Sequence, residues 1–93
     1  MAREAAEQLA IQALSFIAAD TERLGRFLAL TGIGPAEIRE AAREPGFLAG
    51  VLEFVAGDDR LVMAFAAEAG IEPEHVNKAR AALGHSDWER EVP

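Results

Sequence analysis

The chain contains no cysteine and no long apolar run, and these two absences exclude several classes of protein. Without cysteine there is no disulfide and no thiolate chemistry, and the composition fits a reducing compartment such as the cytoplasm. No apolar run approaches the roughly 20 residues of a membrane-spanning helix. No basic-then-apolar leader begins the chain, so we expect neither a membrane anchor nor a signal peptide.

Basic residues are also few. Nine Lys and Arg stand against 16 Asp and Glu, which gives a formal net charge of −7. Because affinity for nucleic acids comes largely from neutralising phosphates, this balance opposes binding to DNA or RNA.

Apolar residues, in contrast, make up 51% of the 93 residues. A chain of this length forms one domain and buries roughly 60–65% of its unfolded surface, enough for a single core. The sequence has no alternating run of β-branched residues, which is the pattern that would predict a strand. Apolar residues recur at helical spacing, so we predict an all-α fold. We expect one helical domain over residues 1–84, followed by a polar tail over residues 85–93.

Capping signals and periodicity divide the domain into six helices. Asp20 and Asp58 stand where helix N-caps are expected, and Gly32 and Gly70 follow apolar helix ends, as left-handed C′ glycines do. In the first helix Ile11 widens the apolar face, which predicts that this helix lies deep in the core. The predicted helices cover residues 2–19, 21–31, 35–43, 46–56, 59–69 and 73–83.

One pattern occurs twice in the chain, 38 residues apart. Residues 13–43 align without a gap on residues 51–81, with ten identical positions. A fixed period of this length is typical of a duplicated supersecondary unit, so we predict two tandem three-helix units. Each unit has a structural corner, in which the isoleucine packs back on the preceding turn and the proline opens the next helix. The corner residues are Gly32, Ile33 and Pro35 in the first unit and Gly70, Ile71 and Pro73 in the second.

The sequence contains no constellation that predicts catalysis. Ser86 stands between His85 and Asp87, but three consecutive side chains point apart and cannot converge as a catalytic triad does. No glycine-rich phosphate loop follows a predicted strand. We therefore predict no enzyme activity, no catalytic residue and no cofactor.

Glu72 and His75 have the i, i+3 spacing of half a carboxylate–histidine metal motif. The second half is missing, because the equivalent positions in the other unit are Gly34 and Glu37. A dimetal bundle site needs two such halves and further acidic residues. We therefore expect His75 to be an exposed residue in the first turn of its helix, and we predict no metal site.

The two corners also resemble a helix-turn-helix, which gives the alternative function of DNA binding. In that interpretation the residues that face the bases would be Glu37, Arg39 and Glu40 of the first unit, or His75, Asn77 and Lys78 of the second. Glu37 and Glu40 on the first candidate reading helix would repel phosphate, so the charges argue against this alternative.

By elimination, the favoured function is that of a small protein-interaction or regulatory module. The candidate partner surface comprises Arg23, Arg26 and Trp88. The arginines could line a patch for a partner, and Trp88 either folds back onto the helices or anchors a partner. We expect a protein partner, no nucleic acid and no membrane, and the sequence leaves open whether the protein forms a homo-oligomer.

Residues 16–71 resemble a known family. The segment RLGRFLALTGI and the second-hairpin segment VMAFAAEAGI are similar to the domain-of-unknown-function family 3572, a family of small all-helical bacterial proteins. No activity is assigned to that family, so the resemblance carries over no catalytic or binding residue. It implies an alphaproteobacterial, cytoplasmic origin.

Overall fold

The computed structural model describes the backbone of residues 1–91 and the side chains of residues 1–83. Over residues 1–91 the backbone forms six α-helices, one 3-10 turn and no strand, which confirms the all-α prediction. Within this stretch no helix combines the length and the apolar character needed to cross a membrane. The elements are α1 (Arg3–Ala18), α2 (Thr21–Thr31), the 3-10 turn (Pro35–Glu37), α3 (Ile38–Ala41), α4 (Pro45–Ala56), α5 (Asp59–Ala69) and α6 (Glu74–Glu91).

Aspartate N-caps begin α2 and α5. Asp20 Oδ1 accepts hydrogen bonds from the backbone N–H of Glu22 at 2.9 Å and of Arg23 at 3.3 Å. Asp58 Oδ1 accepts one from the N–H of Arg60 at 2.9 Å. These bonds satisfy donors that the first turn of a helix leaves without an intrahelical partner. Because the caps follow directly on the preceding helices, α1–α2 and α4–α5 form two helical hairpins that pack within themselves.

The core lies where α6 packs against both α1 and α4. Small side chains on α1 allow its neighbours to approach closely, and branched side chains of α4 and α6 fill the space between the helices. Among residues 1–83 no polar or charged residue is buried, so burial of apolar surface drives the assembly. Up to residue 83, the fully buried residues of α1 and α6 are Ala6, Ala10, Ala13, Ile17, Val76, Ala79 and Leu83.

Aromatic contacts join the two hairpins. Phe16 of α1 packs on Phe65 of α5 with ring centroids 5.4 Å apart. Phe54 of α4 packs edge-on against Phe27 of α2 at 5.3 Å, and Phe47 meets the same Phe27 ring at 5.7 Å. The second helix of each hairpin therefore contacts the first helix of the other.

Three features differ from the sequence predictions. Ile11, predicted to be buried, is 48% exposed, because the described helices leave that side of α1 open. The helix predicted over residues 35–43 is a 3-10 turn followed by the four-residue α3. The α6 helix runs to Glu91, past Gly84, where the sequence predicted its end. The predicted tail over residues 85–93, with Trp88, lies outside the residues whose side chains are described.

Candidate protein-interaction surface

From residue 8 to residue 19, about three turns, the open side of α1 carries no charged residue. From residue 5 to residue 19 its exposed residues are alanine, glutamine, serine and one isoleucine. Glu7, which is half-buried on the same helix, lies 3.7 Å from Arg3, so its charge is partly compensated. We call these exposed residues the uncharged α1 stripe, and they are Ala5, Gln8, Ile11, Gln12, Ser15, Ala18 and Ala19.

A groove of about 450 Å³ runs beside this stripe, between α1 and α5. Its floor is the Phe16–Phe65 pair, whose rings are nearly fully buried. Glu68 is the charged residue among its lining residues. This α1/α5 groove is lined by Ile11, Gln12, Ser15, Phe16, Ala19, Phe65, Glu68 and Ala69.

Arg23 and Asp20 form a small electrostatic unit beside Phe16. The Arg23 guanidinium lies over the Phe16 ring, 4.0 Å from its centroid, and Nη2 of Arg23 is 3.4 Å from Oδ2 of Asp20. The pKa of Asp20 lies below its ordinary value, chiefly because the backbone N–H groups of Arg23 and Glu22 donate to the carboxylate, and secondarily because of the Arg23 charge. Arg23 of the predicted partner surface is therefore engaged within the domain.

Arg26, the second arginine of that predicted surface, extends from α2 towards the cap of α5. Its Nη2 atom is 3.9 Å from Oδ2 of Asp58, and the side chain is largely exposed. An exposed pair at this distance contributes little to stability. The third member, Trp88, lies outside the described side chains.

The first structural corner ends α2 with a left-handed glycine. Gly32 has φ 76° and ψ 6°, and its N–H donates to the carbonyl of Leu28 at 2.8 Å. This single bond is the αL type of helix end. Ile33 is half-buried, and Pro35 begins the 3-10 turn.

The second corner has the same glycine conformation and a different helix end. Gly70 has φ 70°, and the N–H groups of Gly70 and Ile71 both donate to the carbonyl of Ala66, the latter at 3.0 Å. The bond from Ile71 is the 6→1 bond of a Schellman motif. Ile71 packs against the core, and Pro73 directly precedes α6. The corners therefore share the left-handed residue, while their hydrogen bonds differ.

Each corner is followed by a hydrogen bond from a backbone amide to a side chain three residues on. The Gly34 N–H donates to Oε1 of Glu37 at 3.1 Å, and the Glu72 N–H donates to Nδ1 of His75 at 3.2 Å. This bond occupies Nδ1 of His75. No group of three His, Asp or Glu in the described part of the chain could hold a metal ion. Glu72 and His75 therefore organise the start of α6.

The two candidate DNA-reading helices have very different environments. The first, α3, has four residues, which is little more than one turn, and exposes Arg39 and Glu40. The second, α6, buries Val76 and Ala79 against the core and exposes Lys78 on its outer side.

Comparison with known proteins places these features in a family. The model of the family described as "Protein of unknown function (DUF3572)" matches residues 3–86. The chain belongs to the DUF3572 family. No curated protein and no solved structure matches it. The resemblance seen in residues 16–71 is thus confirmed, and every residue of the α1/α5 groove lies inside the DUF3572 match.

Sequence reasoning missed the groove of this DUF3572 protein. The available signal was the run QLAIQALSFIAA, residues 8–19, which has no charged residue in a chain where 27% of residues are charged. Periodicity predicted instead that this helix lies deep in the core. The apolar residues of this run spread over more of the helix circumference than one core can cover. The side that the core leaves uncovered lines the groove.

Proposed function

We propose that this DUF3572 protein is a small protein-interaction module that binds its partner through the α1/α5 groove and the uncharged α1 stripe. The observation that supports this function is the combination of an open groove with an exposed helix side that lacks charge. Exposed helix faces of small proteins normally carry charged residues, and within residues 1–83 the other five α-helices do so. Depletion of charge is typical of the centre of a protein–protein interface.

The shape of the groove favours a helix as its occupant. It lies between two helices, so a third helix can lie along them with apolar anchors at i, i+3 or i+4. Phe16 and Phe65 are only 7% and 2% exposed, so they provide an apolar floor. Ile11 also lines the groove and is 48% exposed, so a partner that covers it removes apolar surface from water. Covering that remaining half contributes on the order of 1 kcal/mol to binding.

A small molecule or a nucleic acid fits these features less well. Sites for small ligands enclose most of the ligand surface, whereas this groove is open. Glu68 lines the groove, and the net charge of −7 repels a polyanion. A protein surface with an apolar helix face meets neither obstacle.

Site-specific photo-crosslinking in the native host tests the proposal. A benzophenone amino acid replaces Ser15, which lines the groove, and in a matched control it replaces Leu30, which is 75% exposed on α2. We expect a discrete adduct from the Ser15 position that disappears when the Ile11→Glu change is added. Equal adducts from both positions, or none from Ser15, would contradict the proposal.

We further propose that residues 13–43 and 51–81 are the two copies of one duplicated unit. Five features recur at a spacing of 38 residues: the ends of α1 and α4, the bounds of α2 and α5, the aspartate caps, the left-handed glycines and the amide-to-side-chain bonds. The aromatic pairs are also exchanged, because Phe16–Phe65 corresponds to Phe54–Phe27. The third helices differ, since α3 has four residues and α6 has 18. Divergence after duplication explains this difference if α6 alone became the central core helix.

We also propose that the protein works in the cytoplasm of a bacterial cell. The absence of cysteine supports this location. Fractionation of the native host, with antibody detection of the protein, tests it, and recovery in the periplasmic or membrane fraction would contradict it.

A further inference from the structure

We propose that the α1/α5 groove binds a second copy of the same chain, with the two α1 helices antiparallel across a two-fold axis. This inference rests on the proposed function, because it takes the groove to be the interaction surface and names the partner.

The charge distribution favours self-association through this side. Each copy carries a net charge of −7, so two copies repel each other at long range. A two-fold interface places the same patch of both copies face to face, so like charges near the axis would oppose each other. The uncharged α1 stripe lowers this cost, although Glu7 and Glu68 lie beside it. A glutamine side chain has both donors and acceptors, so Gln12, which lies near the axis, can pair with Gln12 of the second copy.

The shape of the surface is also self-complementary. Ile11 lines the groove and is 48% exposed. In an antiparallel α1 pair, Ile11 of each copy can enter the groove of the other copy. Ser15 and Ala19 are small, so they allow the two helix axes to approach to about 8–10 Å.

The available area predicts a weak dimer. The 15 residues from Ala5 to Ala19 extend over roughly 22 Å, and a helix is about 10 Å wide, so the α1 pair covers a footprint of about 220 Å². Even with the walls of α5 added, this is well below the roughly 800 Å² per partner of a standard stable interface. We therefore expect a dissociation constant between about 1 µM and about 1 mM.

Sedimentation velocity of the purified full-length chain tests the inference at loadings from about 10 µM to about 1 mM. We expect the sedimentation coefficient to rise with concentration, and to rise more at high salt, because salt screens the repulsion between acidic copies. The Ile11→Glu variant places two carboxylates near the axis, so its dissociation constant should increase at least about tenfold. The matched control, Leu30→Glu on the exposed side of α2, should behave as the wild type. Circular dichroism of each variant verifies that the fold is retained.

Three outcomes would overturn the inference: a monomer at every loading, an equal loss of dimer in Leu30→Glu, or an undiminished dimer in Ile11→Glu. Failure here is distinguishable from failure of the proposed function. If the purified chain is a monomer while Ser15 crosslinks to another protein in the native host, the second-copy inference is wrong and the groove remains an interaction surface. If Ser15 gives no adduct and the chain is a monomer, both are wrong.

Discussion

Replacing Gly32 and Gly25 by alanine should change stability in opposite directions, although both glycines belong to the α2 segment. Gly32 has φ 76°, and an added Cβ would meet no atom within 4 Å, so its cost is confined to the backbone. A non-glycine residue in the left-handed region costs roughly 1–2 kcal/mol. Alanine also lowers the conformational entropy of the unfolded chain, which offsets about 0.4–1 kcal/mol of this cost. We therefore expect Gly32→Ala to lower the free energy of unfolding by about 1 kcal/mol.

Gly25 is the matched control inside the same helix. It lies within α2, is exposed, and an added Cβ would meet nothing within 4 Å. Alanine is favoured over glycine by about 0.5–1 kcal/mol in a helix interior, so Gly25→Ala should raise the free energy of unfolding by that amount. Urea titration followed by circular dichroism measures both changes. In thermal melts each 1 kcal/mol corresponds to about 4–8 °C for a domain of this size.

The result that would refute this reasoning is a shift of the same sign in both variants. A stabilised Gly32→Ala would mean that the residue ending α2 tolerates a side chain. The positive φ of residue 32 would then not explain why glycine occupies this corner. Gly70→Ala, at φ 70°, provides an independent repetition in the second corner and should also be destabilised by about 1 kcal/mol.

Three further predictions concern the core, the cap and nucleic acids. Phe27→Leu should lower the free energy of unfolding by about 1–2 kcal/mol, because it removes two edge-on ring contacts. In the same urea titration the control Leu30→Ala should change the free energy of unfolding by less than about 0.5 kcal/mol, because Leu30 is 75% exposed. Because the pKa of folded Asp20 is below its ordinary 3.8, its stabilising contribution is present above pH 3.8 and is lost as the pH falls through the lowered pKa. Asp20→Asn should therefore lose less stability than the wild type in that acid range, as measured by thermal melts against pH. Fluorescence anisotropy with duplex and single-stranded probes should show no saturable binding at about 150 mM salt, and a low-micromolar, salt-sensitive curve would instead support the helix-turn-helix alternative.

Local chemistry made much of this fold predictable from the sequence. The bounds of α2 and α5 coincide with the predicted residues 21–31 and 59–69, because an aspartate cap and a left-handed glycine delimit each helix. These signals act over three or four residues and depend little on the rest of the structure.

Features decided by packing were less predictable. Ile11 and Phe16 have the same apolar character in the sequence, yet Phe16 is 7% exposed and Ile11 is 48% exposed, because neighbouring helices cover one side of α1 and leave the other open. Likewise, the sequence contains Gly-Ile-x-Pro in both corners, but the 6→1 bond of Ile71 accompanies its packing against the core. The groove follows from the same tertiary choice, so periodicity alone could not place it.

Amide NMR tests most directly whether copies of this protein associate through the α1/α5 groove. Spectra of the ¹⁵N-labelled chain are recorded from about 20 µM to about 1 mM, the range of the expected equilibrium. We predict concentration-dependent shifts that are concentrated in residues 8–19 and 61–69, with little change in α3, and their disappearance in Ile11→Glu. Shifts centred on α2 and α3, or a spectrum that does not change with concentration, would contradict an association surface at this groove.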